Sequence, residues 1–495
     1  MGRIVGNLTR RGILGGLLAG VAMPLWAEGP ANSLRPKRRP ERPADKGVAD
    51  LVTAAKLGAG VVAFAVADAG TGRLLESTNA TMPLPPASVC KAVTALYALE
   101  KLGPSHRFTT RVLRTGAIND GRLDGDLILA GGGDPTFDTD KMGDLVASLA
   151  ARGVRRVTGR FLAYAGALPE MDRIAADQPD HVGYNPAISG LMLNFNRVNF
   201  EWKRANGKWS LAMDARGERF VPPVKMAKMR VAARDLPIFA YETSPPAEDH
   251  WSVAETALGD DGSRWLPVRH PAPYVAEVFQ TLCAAQGIVL PAAQIITTLP
   301  AAAEVIVQHQ SDPLPDLLRG MLKFSTNLTA EAVGLTASGA ATLSGSAAAM
   351  TAWAQASFGI TGVFGDHSGL GPASRITAAD MMTVMIRARG TSTGPMLHGL
   401  LRQMGLAGPD GREQKDSAIR SHAKSGTLNF VSCLAGYVTM APDKELAFAI
   451  FTADLPRRDA LPMAQREDPE GGAGWTKRAR RLQGQLIARW AGLYL

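Results

Sequence analysis

The stretch SHAKSGTLNF, Ser421 to Phe430, can be read in two incompatible ways. From its serine, Ser421-x-x-Lys424 is the pattern of a serine nucleophile with a lysine base. From its lysine, Lys424-Ser425-Gly426, followed by Thr427, is a strand that grips a substrate carboxylate. A helix puts residues i and i+3 on one face, whereas a strand sends them to opposite faces. The flanking sequence decides between them. AIRSHAKSGTL is followed by VSCLAGYVTMA and ELAFAIFTADL, apolar runs of strand length. Read as a strand, the stretch turns Ser421 away from Lys424, so a nucleophile has to lie elsewhere.

A second S-x-x-K occurs at Ser88–Lys91, inside PPASVCKAVTALYALEKLG. The prolines end before Ala87, and Val89, Val93, Leu96 and Leu99 repeat at helical spacing. Ser88 and Lys91 then share a helix face, and Ser88 begins the helix, where free N–H groups favour a developing oxyanion. S-x-N also occurs twice, spelled identically. Ser77-Thr78-Asn79 follows a strand and reads as a turn, whereas Ser325-Thr326-Asn327 interrupts two helices in MLKFSTNLTAEAVG and can push both side chains into a cleft. Arg114-Thr115-Gly116, at the end of an early strand, is a weaker decoy that lacks the lysine. Gly390-Thr391-Ser392-Thr393-Gly394 has the form of a nucleophile elbow, but the helical TAADMMTVMIRAR precedes it where an elbow needs a strand. Asp366-His367-Ser368-Gly369 reads as a turn with a structural histidine.

GVVAFAVADAGTGRLLESTN supplies two strands near the start. With the three near the end they make a five-stranded antiparallel sheet with helices on both faces, an α/β fold of α+β type. The middle of the chain is then an insertion, with strands in FTTRVLRTG, GRLDGDLILAGGGDPTF and RRVTGRFLAYAG, a helix in DKMGDLVASLAARG, and irregular strand-like sequence from Asn185 to Trp251. The terminal helix, TKRARRLQGQLIARWAGLYL, is expected to pack Leu482, Leu486, Trp490 and Leu493 on the sheet. Peripheral contact of its basic face with anionic membrane is the second reading.

The chain has 495 residues, 46% apolar and 20% charged, with a net charge of +9. Residues 1–46 hold nine Lys/Arg against Glu28, Glu41 and Asp45, so they carry +6 and the rest only +3. A folded part that mild excludes nucleic acid as the expected partner. Thr9-Arg10-Arg11-Gly12 followed by GILGGLLAGVAMPLWA resembles a twin-arginine export signal, an ordinary secretory signal being the alternative. Either predicts an exported, periplasmic protein. ANSLRPKRRPERPADK reads as a Pro/Arg-rich linker. Cys90, Cys283 and Cys433 are far apart in apolar contexts and read as buried structural thiols. No histidine or cysteine cluster calls for a metal.

The ordered trio Ser88-x-x-Lys91, Ser325-x-Asn327 and Lys424-Ser425-Gly426 resembles the penicillin-recognising serine enzymes. The 233 residues between Lys91 and Ser325 narrow this. So do PASVCKAVTALYAL, LILAGGGDPTF, FNRVNF, DHSGLGPASRIT and KSGTLNFVSCLAGYV. The chain is similar to the class C low-molecular-mass penicillin-binding proteins, the D-alanyl-D-alanine carboxypeptidase/endopeptidases of peptidase family S13. With the export signal expected at 1–27 and the linker at 28–46, that resemblance implies a peptidase domain from 47–104 and 311–495. It also implies an inserted domain from 105–165 and 252–310 and a second, nested at 166–251.

The resemblance further implies attack by Ser88 on the penultimate D-alanine of peptidoglycan stem peptides, giving an acyl-enzyme that β-lactams would mimic covalently, with no cofactor. Lys91 would be the base, and keeping it neutral at pH 7 costs about 4–5 kcal/mol unless burial or a second cation such as Lys424 lowers its pKa. Ser325 would relay a proton to the leaving amine and Asn327 would orient Lys91. The N–H groups of Ser88 and Thr427 would form the oxyanion hole, and Lys424 and Ser425 would hold the terminal carboxylate. Gly426 would let the substrate lie against the strand. Asp134, in GGGDPTF, is expected to read the free amine of a diamino acid, a turn cap being the alternative. Family members carry Ser-Arg after S-G-L where this chain has Gly371-Pro372, so an arginine contact from there falls to the nearby Arg375 or is lost. The alternative functions are a catalytically silent peptidoglycan-binding scaffold and a β-lactamase.

Overall fold

In the computed structural model, residues 46–242, 247–405, 419–441 and 444–495 are described. The expected export signal and all of the expected linker but Lys46 lie outside them. Among the described residues, no helix is long and apolar enough to cross a membrane.

The central sheet is wholly antiparallel and has six strands, in the order Arg402–Gly405, Arg420–Leu428, Val431–Ala441, Lys444–Ala453, Val61–Asp68, Leu74–Thr78. The expected five are present, and Arg402–Gly405 is a sixth at the edge. Its four residues, RQMG, carry no apolar alternation and gave no strand signal. It pairs only with the first half of its neighbour, from Arg402 opposite Ala423 to Gly405 opposite Arg420. Lys424–Leu428 thus keeps one edge unpaired among the described residues.

Large and small residues alternate along the central strands, and this sorts the two faces. Phe64, Val66, Phe448 and Ile450 point to one side, where the long helix Gly472–Tyr494 and the short helix Val48–Ala55 cover them. Phe64 and Trp490 meet there with ring centroids 5.4 Å apart. Of the four residues expected on this contact, Leu482, Leu486 and Trp490 are buried but Leu493 is exposed. Ala63, Ala65, Ala447 and Ala449 point to the other side. Their short side chains let the helix Ala378–Ala388 lie close to the sheet. Each fully buried large apolar side chain contributes about 1.5–3 kcal/mol.

On the alanine side, the helix Cys90–Leu102 runs through the middle of the core, with every residue from Cys90 to Leu99 buried. The helices Leu314–Phe324, Asn327–Ser338 and Leu343–Phe358 surround it. That covering explains why the helix departs from a simple apolar stripe: a core helix is shielded all round.

Between the two halves of this sheet in sequence come the remaining strands. Five of them form one sheet, ordered Ala293–Ile296, Phe161–Tyr164, Leu127–Ala130, Thr109–Arg114, Glu304–Gln310, with the helices Thr139–Ala151 and Pro271–Ala285 packed on it. Arg197–Ala205 is flanked by Lys208–Asp214 and Asp261–Pro267 in a three-stranded sheet, and Asp249–Ala254 by Ala227–Ala232 and Phe239–Glu242 in another. This middle region touches the rest through an apolar seam. Ile174, Ile188 and Met192 meet Leu328, Ala332 and Leu335 of the helix that begins at Asn327.

Candidate active site

Ser88 lies on a 3₁₀ turn, Ala87–Val89, that runs directly into the helix carrying Lys91. Ala87, fully buried, has φ +47°, a left-handed conformation that costs a non-glycine residue about 1–2 kcal/mol. Two glycines hold the turn from either side. A Cβ on Gly426 would sit 2.7 Å from Pro86 O and 2.8 Å from Ser88 N. A Cβ on Gly369, whose φ is +75°, would sit 1.9 Å from Ala87 O. The bare side of Gly426 therefore faces the Ser88 turn, not the substrate side assigned to it from sequence. The glycine permits strand and turn to touch.

Lys91 is completely buried and its Nζ has three oxygen neighbours: Ser88 Oγ at 2.9 Å, Asn327 Oδ1 at 2.7 Å and Ser368 O at 2.8 Å. Two of these are fixed acceptors. A neutral amine gives its two N–H bonds to Asn327 and Ser368 and presents its lone pair to the Ser88 hydroxyl. Burial lowers the Lys91 pKa to about 8, against the pull of Cys90, Glu331 and Asp366, which favour the cation. The cost of the neutral form at neutral pH falls accordingly.

Ser325 caps the helix Leu314–Phe324 in the left-handed region (φ 59°, ψ 37°), and the next helix starts two residues later at Asn327. The break turns Ser325 toward the strand, where its Oγ accepts a 3.1 Å hydrogen bond from Lys424 Nζ. Lys424 Nζ also donates to Ser425 O at 2.6 Å. Burial first, then repulsion from Lys91 and Arg402, lowers the Lys424 pKa to about 7. Burial is the larger cause for both lysines, and the repulsion between the two ammonium groups acts on each of them.

Two acids that sequence reasoning missed, Glu331 and Asp366, form the floor. Glu331 is fully buried and accepts the N–H groups of His367 (3.0 Å) and Ser368 (2.9 Å). Asp366 accepts those of Gly369 and Gly371, both at 2.6 Å. Together they fix the 366–371 loop so that Ser368 O meets Lys91. Burial and mutual repulsion push the pKa of Glu331 up, and burial pushes up that of Asp366. His367 is structural, its ring between Ser346 Oγ (2.6 Å) and Met350 Sδ (3.2 Å), and burial drops its pKa to about 3. The only available sequence signal was a pair of acids at buried helical or turn positions in DHSGLG and TAEAVG.

A cleft of about 500 Å³ opens over Ser88, Ser325, Asn327, Ser425 and Thr427. Tyr184 of the middle region lines it too, and its carbonyl accepts a 2.8 Å bond from Asn327 Nδ2. Both faces of Asn327 are thereby engaged, and its orientation is set. Nearby, His181 and Arg264 hold Glu467. Asp134 does not join this cleft. It is 2% exposed and accepts from Thr136 N (2.8 Å) and Thr136 Oγ1 (2.7 Å), the contacts of a turn cap. Arg375 also turns away, donating to Pro372 O and Ser374 O. Ser421, 3% exposed, donates to Met404 O at 3.2 Å on the edge strand. The three cysteines are buried and free. Among the described residues no cluster of His, Cys, Asp and Glu could hold a metal ion.

The fold agrees with that of penicillin binding protein 4 (dacB) from Haemophilus influenzae, at a TM-score of 0.71 and 20% identity over 89% of this chain and 99% of that one. The D-alanyl-D-alanine carboxypeptidase of Actinomadura sp. (strain R39) is 27% identical over 82% of each chain. The D-alanyl-D-alanine carboxypeptidase DacB of Haemophilus influenzae is 23% identical over 82% of this chain and 89% of its own. A family profile matches residues 44–476, and the chain belongs to the D-Ala-D-Ala carboxypeptidase 3 (S13) family, a family of serine peptidases.

Proposed function

We propose that the protein is a D-Ala-D-Ala carboxypeptidase/endopeptidase of peptidoglycan stem peptides that works through an acyl-enzyme on Ser88. The observation that carries this reading is the 2.9 Å contact between Ser88 Oγ and a buried Lys91 whose pKa lies near 8. The Ser88 hydroxyl passes its proton to Lys91 as Oγ bonds to the carbonyl carbon of the penultimate D-alanine. The oxyanion that forms is held by the N–H groups of Ser88 and Thr427, each such donor being worth about 3–4 kcal/mol. The C–N bond then breaks. Ser325 gives its proton to the leaving amine and takes one from Lys424, whose pKa near 7 suits a donor at neutral pH. Water next adds its hydroxyl to the ester carbon and returns a proton to Ser88, while Lys91 releases the proton it took and Lys424 regains one from solvent, which restores both lysines for the next cycle.

The unpaired edge of Lys424–Leu428 supports substrate binding as an added strand. A β-lactam presents a strained amide and a carboxylate to the same groups, so covalent inhibition follows from the same chemistry. The arginine pair at Arg10–Arg11 ahead of an apolar run supports export to the periplasm by a twin-arginine signal, and cell fractionation checks it. The deciding experiment is incubation with a fluorescent penicillin and with purified muropeptides. Labelling that Ser88→Ala abolishes, with loss of terminal D-alanine or cleavage of cross-linked dimers, is the expected result. Labelling that survives Ser88→Ala overturns the assignment.

A further inference from the structure

The two faces of the Lys424–Thr427 strand do different things. Lys424 and Gly426 point inward, to Ser325 and to the Ser88 turn. Lys424 is 3% exposed, and its ammonium is already engaged by Ser325 and Ser425 O. Ser425 and Thr427, on the opposite face, are exposed and line the cleft. The cation beside those hydroxyls comes from elsewhere in the chain.

It is Arg480, on the C-terminal helix Gly472–Tyr494. Gly472, Ala473, Thr476 and Arg480 recur at helical spacing and form one wall of the cleft. The first three are small, which leaves the cleft open, and the fourth reaches across it. Arg480 Nη2 donates to Thr427 Oγ1 at 3.0 Å. Its side chain is exposed, and among the described residues no carboxylate pairs with it. The other arginine lining the cleft, Arg458, is occupied, with Asp177 at 3.6 Å and Asn429 O at 3.4 Å.

Resting on the reading that the substrate's C-terminus lies along this strand, we propose that Arg480 is the residue that selects a free terminal carboxylate. Its guanidinium fork, with the Ser425 and Thr427 hydroxyls, receives the carboxylate of the terminal D-alanine. Lys424 serves the proton relay beneath the strand. The terminal helix thereby supplies a substrate-binding group as well as covering the sheet.

The test compares an acylated L-Lys-D-Ala-D-Ala peptide as the free acid and as its C-terminal carboxamide. Arg480→Gln is expected to raise KM for the acid roughly 10–100-fold, the worth of a charged hydrogen bond, with kcat within about threefold. Its kcat/KM on the carboxamide should match wild type, and Arg480→Lys should recover part of the loss on the acid. Melting temperature guards against misfolding, and the exposed position predicts no change. Equal losses on both peptides, or an Arg480→Gln enzyme that keeps the wild-type preference for the acid, would overturn the proposal and return the grip to Lys424. Failure of the underlying reading looks different: the wild-type enzyme would then cleave neither peptide or take no penicillin label at Ser88.

Discussion

Ser88-x-x-Lys91 and Ser421-x-x-Lys424 share one spelling and differ in every physical respect that matters for chemistry. In the first, the 3₁₀ turn and helix put the two side chains 2.9 Å apart, with Lys91 fully buried beneath a serine that opens to the cleft. In the second, the pleat sends Ser421 to the edge strand and Lys424 to Ser325. Backbone geometry, and not residue identity, turns a serine and a lysine into a pair. The lysines also answer to different neighbours. Lys91 has carboxylates behind it that resist its neutralisation, whereas Lys424 has cations beside it that assist its own.

The harshest way to break the comparison is to delete each serine. Ser88→Ala should lower peptidase turnover by roughly 10⁴-fold or more, as loss of a nucleophile does elsewhere. Ser421→Ala should leave turnover within about twofold and cost about 1 kcal/mol of stability through its bond to Met404. Equal losses in an acylation assay would erase the distinction. Lys91→Met comes next, with an expected drop of about 10²–10⁴-fold in the acylation rate and a native circular-dichroism spectrum. Gly426→Ala tests the contact between strand and turn. The added methyl meets backbone on the turn, so about 1–3 kcal/mol should be lost, read by thermal melting together with slower penicillin acylation. Gly320→Ala, a helical glycine with open space around it, is the control and should be neutral or stabilising.

The mildest test is by pH. Lys91 acts as a base only when unprotonated, so the acylation rate should climb as pH rises through about 8. Glu331 favours the Lys91 cation, so Glu331→Gln should move that midpoint to lower pH. A midpoint that stays put, or moves up, would detach Glu331 from the lysine.

What could be read from the sequence was whatever a local period determines. Helical spacing pairs Ser88 with Lys91, and strand alternation parts Ser421 from Lys424. The break between Leu314–Phe324 and Asn327–Ser338 was legible because a polar Ser-Thr-Asn run interrupts two apolar patterns. Long-range facts were not. Glu331 and Asp366 look like surface acids until the 366–371 loop is seen threaded beneath Lys91. Asp134 was legible only through its resemblance to a family carboxylate, with a turn cap as the alternative, and its Oδ1 serves Thr136 as a cap does. Arg480 sits among other basic residues of an amphipathic helix, and only the three-dimensional fit of that helix to the strand singles it out. Arg402–Gly405 owes its strand state to pairing with its neighbour and not to its own composition.

The strand Val61–Asp68 finds one partner at once, in Leu74–Thr78, and the other only in Lys444–Ala453. Translation therefore delivers Ser88, Lys91, Ser325 and Asn327 long before the strand bearing Gly426 that presses on the Ser88 turn. Under the proposed mechanism, a nascent or prematurely terminated chain carries Ser88 without the strand that clamps its turn, the N–H of Thr427 or the wall at Arg480. The hydrolase is born inert, and its activity arrives with the closing strands.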